Sequence, residues 1–291
     1  DDTQMMLAVG EALLAARQPL TAASLEGPLR AAFIAWTRSP ENDRAPGRTC
    51  MRACDTLERG LPGVEATVHA SKGCGANMRV APVGLLADTA WGITAATRAA
   101  IAQFQAALTH GHPTGLAAAD LTARAIFDLA EGGDPAGLPR RLRAYAEDQR
   151  AIYHADWLGS LWQRPGATSP GEFIARGWDE CLACLDRLDA ALATGDTAGD
   201  PCLLTGAGWV AEEAFATGLL CFLLYPTDAL AAVRRAAVSS GDSDSIACLA
   251  GAFAGASLGL GAWPGDWGAR VEHRPRLAPL AAQLAAPAAR S

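Results

Sequence analysis

The sequence predicts an all-α fold, on three observations. Apolar residues recur at helical spacing along most of the chain, and alternating strand patterns are nearly absent. The main β-branched run, residues 64–68, is short and isolated. The connections between helical runs (39–48, 132–137, 195–201 and 263–267) are rich in Gly, Pro, Ser and Asp, and none is long enough to read as a domain linker. The 291 residues therefore read as one domain.

The first helix is predicted over residues 3–17, with Met6, Leu7, Leu13 and Leu14 among its apolar positions and Gln18-Pro19 ending it. Residues 24–37 repeat the pattern through Leu25, Leu29, Phe33 and Trp36, and 49–59 form a third candidate. Further helices are expected over 87–109, 115–130, 138–151, 170–193, 209–224 and 226–239. The stretch 245–262 carries no charge and reaches the length of a membrane span. Gly251, Gly255 and Gly259 even repeat the GxxxG spacing of membrane helix pairs. It is rich in Ala and Gly rather than Leu, however, and starts on two aspartates, so it reads as a helix buried in a soluble core. The Ala/Pro/Arg-rich tail from about residue 275 is expected to pack loosely.

Half of the residues are hydrophobic, 19% are charged and the net charge is −7. That suits a soluble protein with a sizeable core. No long basic run is present, which argues against broad electrostatic binding to nucleic acid. Several of the eight cysteines sit inside apolar helical patterns, as Cys221 does, and read as reduced, small hydrophobes. Cys181 and Cys184 form a lone CxxC with no second pair or nearby histidine pair, which reads as two thiols on one helix face. With no signal peptide in view, a cytoplasmic, membrane-free protein is expected.

Five segments have the residue types for chemistry. Gly241-Asp242-Ser243-Asp244-Ser245 puts two carboxylates and a hydroxyl at the mouth of the uncharged stretch. Hard cations such as Mg²⁺ take oxygen ligands, and carboxylates also suit Mn²⁺. N-capping accounts for one such aspartate just as well. Asp1-Asp2 opens another helix, where acidic side chains also complement the helix dipole. A DDxxD diphosphate motif fails there, because the fifth position is Met5. Ser71-Lys72-Gly73-Cys74-Gly75 is a Gly-rich loop whose amides are able to hold phosphate oxygens, but it lacks the GK[ST] of a P-loop and taken alone reads first as an ordinary turn. His110 and His112 flank a helix boundary, where either capping or ligand contact fits. Glu212 and Glu213 in a first turn are explained by the helix dipole. Trp157, Trp162 and Trp178 read as core.

In their order along the chain, DDTQM, SKGCGANMRVAPVGLL, LTHGHP, GWVAEEAFATGLLCFL and SGDSDSIACLAGAFAGA resemble the ADP-ribosylglycohydrolase family, which includes the dinitrogenase reductase-activating glycohydrolases. The resemblance covers essentially the whole chain. It implies a compact, orthogonal all-α bundle with two divalent cations, Mg²⁺ or Mn²⁺, in a cleft. By this likeness Asp1, Asp2, Asp242, Asp244 and Ser245 are metal ligands, and Asp1 and Asp2 also serve catalysis. Ser71, Lys72, Gly73, Cys74 and Gly75 hold the ADP-ribose diphosphate and adjacent ribose, and His110 lines the pocket. The implied activity is metal-dependent hydrolysis of an ADP-ribosyl glycosidic bond on a modified protein side chain or a small-molecule conjugate, by a monomer. The alternative is an ADP-ribose-binding protein of the same fold that has lost hydrolysis. Three departures stand out. The family's Thr before the two aspartates and its upstream helix, with an acidic catalytic residue, are not in this sequence. Cys74 stands where many relatives carry Asn.

Overall fold

The computed structural model describes residues 1–164 and 166–285. Eleven helices of nine or more residues run through them: α1 (Asp2–Ala15), α2 (Ala22–Arg38), α3 (Arg48–Glu58), α4 (Ala95–Ala107), α5 (Pro113–Ala130), α6 (Leu138–Gln149), α7 (Pro170–Thr194), α8 (Ala211–Leu224), α9 (Ala229–Ala237), α10 (Ser243–Leu258) and α11 (Arg274–Ala285). Shorter helical turns join them, and only two isolated β-bridges occur among the described residues. The predicted all-α class is therefore what the chain adopts. No helix among the described residues is long and apolar enough to cross a membrane.

Helix α5 lies at the centre, with α4, α6, α7, α8 and α10 around it. Its sequence explains the position. Leu116, Ala117, Ala118, Ala119, Leu121, Ala123 and Ala125 are all fully buried, so small residues cover every side and neighbouring helices approach closely. Each fully buried Leu there contributes about 1.5–3 kcal/mol of apolar transfer. Trp178 of α7 is also fully buried, and its ring stands edge-on to Tyr145 of α6. Trp157 and Trp162 are half-buried against the same core.

Three segments differ from the sequence expectation. The helix expected over 87–109 is broken: Gly92 takes a left-handed conformation (φ 60°) that ends a turn at Trp91, and Thr94 restarts the chain by accepting a hydrogen bond from the Thr97 amide. The uncharged helix stops at Leu258, where Gly259 turns at φ 69° and Leu260 is left exposed. The tail is not loose over its described part. In α11, Leu280 and Leu284 are buried, Leu280 fills the space over Gly10 of α1, and Arg276 pairs with Glu11 through both carboxylate oxygens. The apolar positions hidden between its Ala and Pro residues cause this docking. Residues 286–291 of the expected tail lie outside the described residues.

Asp120 of α5 is an ionisable group in the middle of this core. It accepts hydrogen bonds from Tyr145 Oη (2.7 Å) and Gln103 Nε2 (2.9 Å), and burial pushes its pKa up to about 6. The folded state thus binds this proton more tightly than the unfolded chain does. The resulting stabilisation is fully present below the ordinary value of 3.8 and is lost as pH rises past about 6. Asp120→Asn should flatten that dependence. Gln103 Oε1 has no partner now, so a flipped Gln103 amide could accept from the new Asn amide. Urea unfolding across this range should show the variant gaining on the wild type as pH rises, by up to about 3 kcal/mol.

Candidate active site

The two acidic ends of the sequence come together. Carboxylate oxygens of Asp1, Asp2 and Asp244 all lie within 4.8 Å of one another. Asp1 and Asp2 begin α1, and Asp244 sits in the first turn of α10. Helix capping does not account for them. Asp1 and Asp242 occupy the N-cap positions of α1 and α10, and neither side chain makes a cap hydrogen bond. Asp1 Oδ2 accepts instead from the Gly47 amide at 3.3 Å, and Asp242 Oδ2 accepts from the Cys74 thiol at 2.8 Å.

Gly241 places the second cluster. A Cβ on it would lie 1.9 Å from the Ala207 carbonyl oxygen, so only glycine permits the two backbones to run this close. The same carbonyl then accepts the Asp242 amide at 2.8 Å, which fixes the turn into α10.

The electrostatics of the cluster are unfavourable without a counter-charge. Asp2 is 9% exposed and its Oδ1 has no hydrogen-bond partner. Burial, followed by the charge of Asp244, raises its pKa. Asp242 is pushed up to about 6 by burial and by its neighbour Asp244, whose own pKa is lowered chiefly by a hydrogen bond from Asp242. The pair thus behaves as two carboxylates that resist ionising together, with Asp242 the partner that holds the proton. Among the described residues, no Lys or Arg forms an ion pair with any of the four aspartates. A divalent cation fits this site. The donors are hard oxygens, one is buried and unpartnered, and three converge on one point. Asp1, Asp2 and Asp244 are the residues that would hold one, with Asp242 and Ser245 alongside.

Residues 71–75 form the wall next to the acids. The loop is clamped from both sides. Lys72 O accepts the Ala211 amide at 2.8 Å and the Cys74 amide donates to Trp209 O at 3.3 Å, while Ser71 O accepts the His112 amide at 3.3 Å. Ser71 Oγ is 3.0 Å from Thr49 Oγ1. Cys74 joins loop to acids, with Sγ 2.8 Å from Asp242 Oδ2 and 3.4 Å from Ser245 Oγ. Burial first, then Asp242, raises its pKa well above the usual thiol value, so it stays a protonated donor. Ser245 itself is buried, between Cys74 and Met78.

Lys72 points away from a free diphosphate role. Its ammonium lies 2.5 Å from both Glu180 Oε2 and Glu212 Oε1. Burial works against its charge, yet the two carboxylates hold its pKa up at about 12. Glu212 was explained in the sequence by the helix dipole alone; in the fold it is buried, anchors Lys72, and keeps Oε2 unpartnered. Dipole complementarity and ion pairing leave the same letter in the sequence, and the Glu180 partner is 108 positions from Lys72. His112 caps α5, its Nδ1 accepting from the Thr114 amide at 3.2 Å.

His110 is 2% exposed and lies against Gly73 and Gly75. Its Nδ1 is 2.8 Å from Thr109 Oγ1. Burial, then the charge of Arg79, push its pKa down to about 3, so the ring is neutral. Trp209, whose carbonyl holds Cys74, is 64% exposed at the rim of this wall. The sequence expectation starts the helix at Trp209, but α8 begins at Ala211, after Val210 runs extended and pairs with the loop through the Gly73–Val210 bridge.

An all-α protein with a carboxylate cluster packed on a glycine-rich loop is the class that this fold and site define. The profile described as ADP-ribosylglycohydrolase matches residues 1–291, and the chain belongs to that family. Among solved structures, the chain is similar to one titled "ADP-ribosylglycohydrolase-related protein complex". The likeness has a TM-score of 0.54 and 24% identity, and covers 98% of this chain and 80% of that one. It supports the fold. No curated protein matches the sequence.

Proposed function

We propose that this chain is a divalent-cation-dependent hydrolase that cleaves the glycosidic bond of an ADP-ribosyl conjugate, on a protein side chain or a small molecule. Family membership supports the reaction class. The observation that carries the reading is the 2.8 Å contact between Cys74 and Asp242. It sets the glycine loop directly against the acids, so a diphosphate held by the loop has its attached ribose beside the carboxylates.

In this reading the amides of Gly73 and Gly75 take the diphosphate by charge-assisted hydrogen bonds. Lys72 shapes the loop through its two glutamates rather than binding phosphate as a free charge. Cleavage at the anomeric carbon develops oxocarbenium character. Negative charge from Asp1, Asp2 and Asp244 lies where that positive charge appears, which favours the transition state over the ground state. Bound among these carboxylates, a divalent cation supplies a polarised water and a fixed charge against which ribose hydroxyls are oriented. Asp1, half-buried, and Asp2, buried beside it, are the groups assigned to proton transfer. Trp209 offers an exposed indole for stacking against the substrate.

The test is release of ADP-ribose from an ADP-ribosylated arginine, serine or O-acyl conjugate, with Mg²⁺ or Mn²⁺ and with EDTA. Turnover that needs the cation and returns when it is restored is the expected result. Binding of ADP-ribose without turnover on any of the conjugates would overturn the hydrolase assignment, and turnover unaffected by EDTA would overturn the cation dependence.

A further inference from the structure

Arg79 is fully buried, yet none of its hydrogen-bond partners is a carboxylate. Its Nε donates to Gln105 Oε1 (2.7 Å), and Nη2 donates to Gln105 O (2.6 Å) and Thr109 Oγ1 (2.8 Å). Nη1 faces only the sulfurs of Met5 and Cys50, and the guanidinium lies 4.4 Å from the centre of the Phe33 ring. A buried cation without a counter-ion costs several kcal/mol, so a plain packing role explains it poorly. What it touches is the back of the glycine-loop wall. Gln105 passes from Arg79 to the Ala76 carbonyl (2.9 Å), directly after the loop, and Thr109 passes from Arg79 to His110 Nδ1 (2.8 Å).

The Thr109 hydroxyl has one proton, and it has two acceptors to choose from: His110 Nδ1 at 2.8 Å and the Ala106 carbonyl at 3.4 Å. The longer contact is weak. An oxygen that already accepts from a charged donor is a poorer second acceptor and a stronger donor, because hydrogen bonds in a chain polarise one another. Arg79 therefore drives the Thr109 proton toward His110 Nδ1. A neutral imidazole that accepts at Nδ1 carries its own proton on Nε2. That nitrogen has no hydrogen-bond partner among the described residues. It sits 3.4 Å from where a Cβ would stand on either Gly73 or Gly75, so the two glycines leave it open to the loop.

We propose that Arg79 and Thr109 are positioning residues that lock the His110 proton onto Nε2, making the imidazole a permanent N–H donor to the anion held by the 73–75 loop. The identity of that anion rests on the ADP-ribose reading above; the position of the proton does not. A histidine locked in this form is a fixed donor that no carboxylate of the substrate or site can convert to an acceptor. It also keeps a second positive charge out of a wall that already contains Arg79.

Long-range ¹H–¹⁵N spectra of the ligand-free, ¹⁵N-histidine-labelled protein at neutral pH test the proton directly, with His110→Gln identifying the resonance by its absence. Protonated Nε2 with bare Nδ1 is expected. Protonated Nδ1, or a doubly protonated ring, overturns the proposal, and this measurement needs no variant of Arg79 or Thr109 to fold. Thr109→Val should release the ring to a mixture of tautomers and weaken ADP-ribose binding about tenfold in calorimetry, while Thr109→Ser keeps both within about twofold of the wild type. A Thr109→Val protein with the wild-type tautomer overturns the positioning role. A wild-type protein with the Nε2 proton that nevertheless fails to bind ADP-ribose supports the proton placement and overturns the ligand reading instead.

Discussion

Asp2→Asn should abolish divalent-cation binding and lower the rate of ADP-ribose release by about 10³-fold, the loss expected when some 4 kcal/mol of transition-state stabilisation goes with the cation. The side chain keeps its size, so the packing of α1 against its neighbours is preserved. What changes is charge. Asp2 Oδ1 is buried and unpartnered, and its pKa is raised by burial and by Asp244. In the absence of a cation, the neutral amide relieves that repulsion, and the variant should be at least as stable as the wild type. With Mn²⁺ added, the wild type should gain thermal stability by mass action, about 2.7 kcal/mol at a hundredfold excess over Kd, and the variant should gain none. The two readouts separate a metal ligand from a structural carboxylate. A structural role predicts a less stable variant that still responds to Mn²⁺, and that outcome would sink the assignment. Asp244→Asn should lose the Mn²⁺ response in the same way, since its carboxylate meets those of Asp1 and Asp2.

The elements most legible in the sequence are those set by local chemistry. Periodicity located α2, α5, α7 and α10 because their apolar faces or small-residue faces are continuous over several turns. It failed at Gly92, where apolar residues continue through a left-handed break and only the Gly-x-Thr cap signal marks it. It failed again in α11, where Leu280 and Leu284 are two anchors among alanines and prolines, and the contacts to α1, Leu280 over Gly10 and Arg276 with Glu11, join residues more than 260 positions apart. The acidic motifs were legible as motifs, but capping and metal binding use the same residues in the same places. In the fold the side chains of Asp1 and Asp242 make no cap hydrogen bond, which removes capping as their explanation. Glu180, Glu212 and Arg79 were not legible as site residues at all. Their roles rest on tertiary contacts to Lys72 and Thr109, and a charged letter in a helix says nothing of which partner it will meet.

Gly241→Ala should damage both the fold and the site, and a glycine within the helix that Gly241 leads into gives the control. The added Cβ would lie 1.9 Å from Ala207 O and 2.7 Å from Ala207 C, so the clash is with backbone and no rotamer relieves it. The two segments must part, and the bond from the Asp242 amide to Ala207 O is lost with them. Overpacking of about 1–3 kcal/mol plus a lost hydrogen bond of about 1 kcal/mol gives a destabilisation of roughly 2–4 kcal/mol. The shift also moves Asp242 and Asp244, and a site that tolerates only about 0.5 Å of misplacement loses its cation response. Gly255 lies inside α10, well beyond the acids at its start, and a Cβ there meets nothing within 4 Å. Gly255→Ala should therefore stabilise the protein by about 0.5–1 kcal/mol through helix propensity and leave the Mn²⁺ response intact. Opposite signs for one chemical change, in the turn before α10 and within it, are what the close approach at Gly241 requires. If both variants moved stability in the same direction, or if Gly241→Ala kept the wild-type Mn²⁺ response, the backbone contact would not be what aims Asp242 and Asp244 at the cluster.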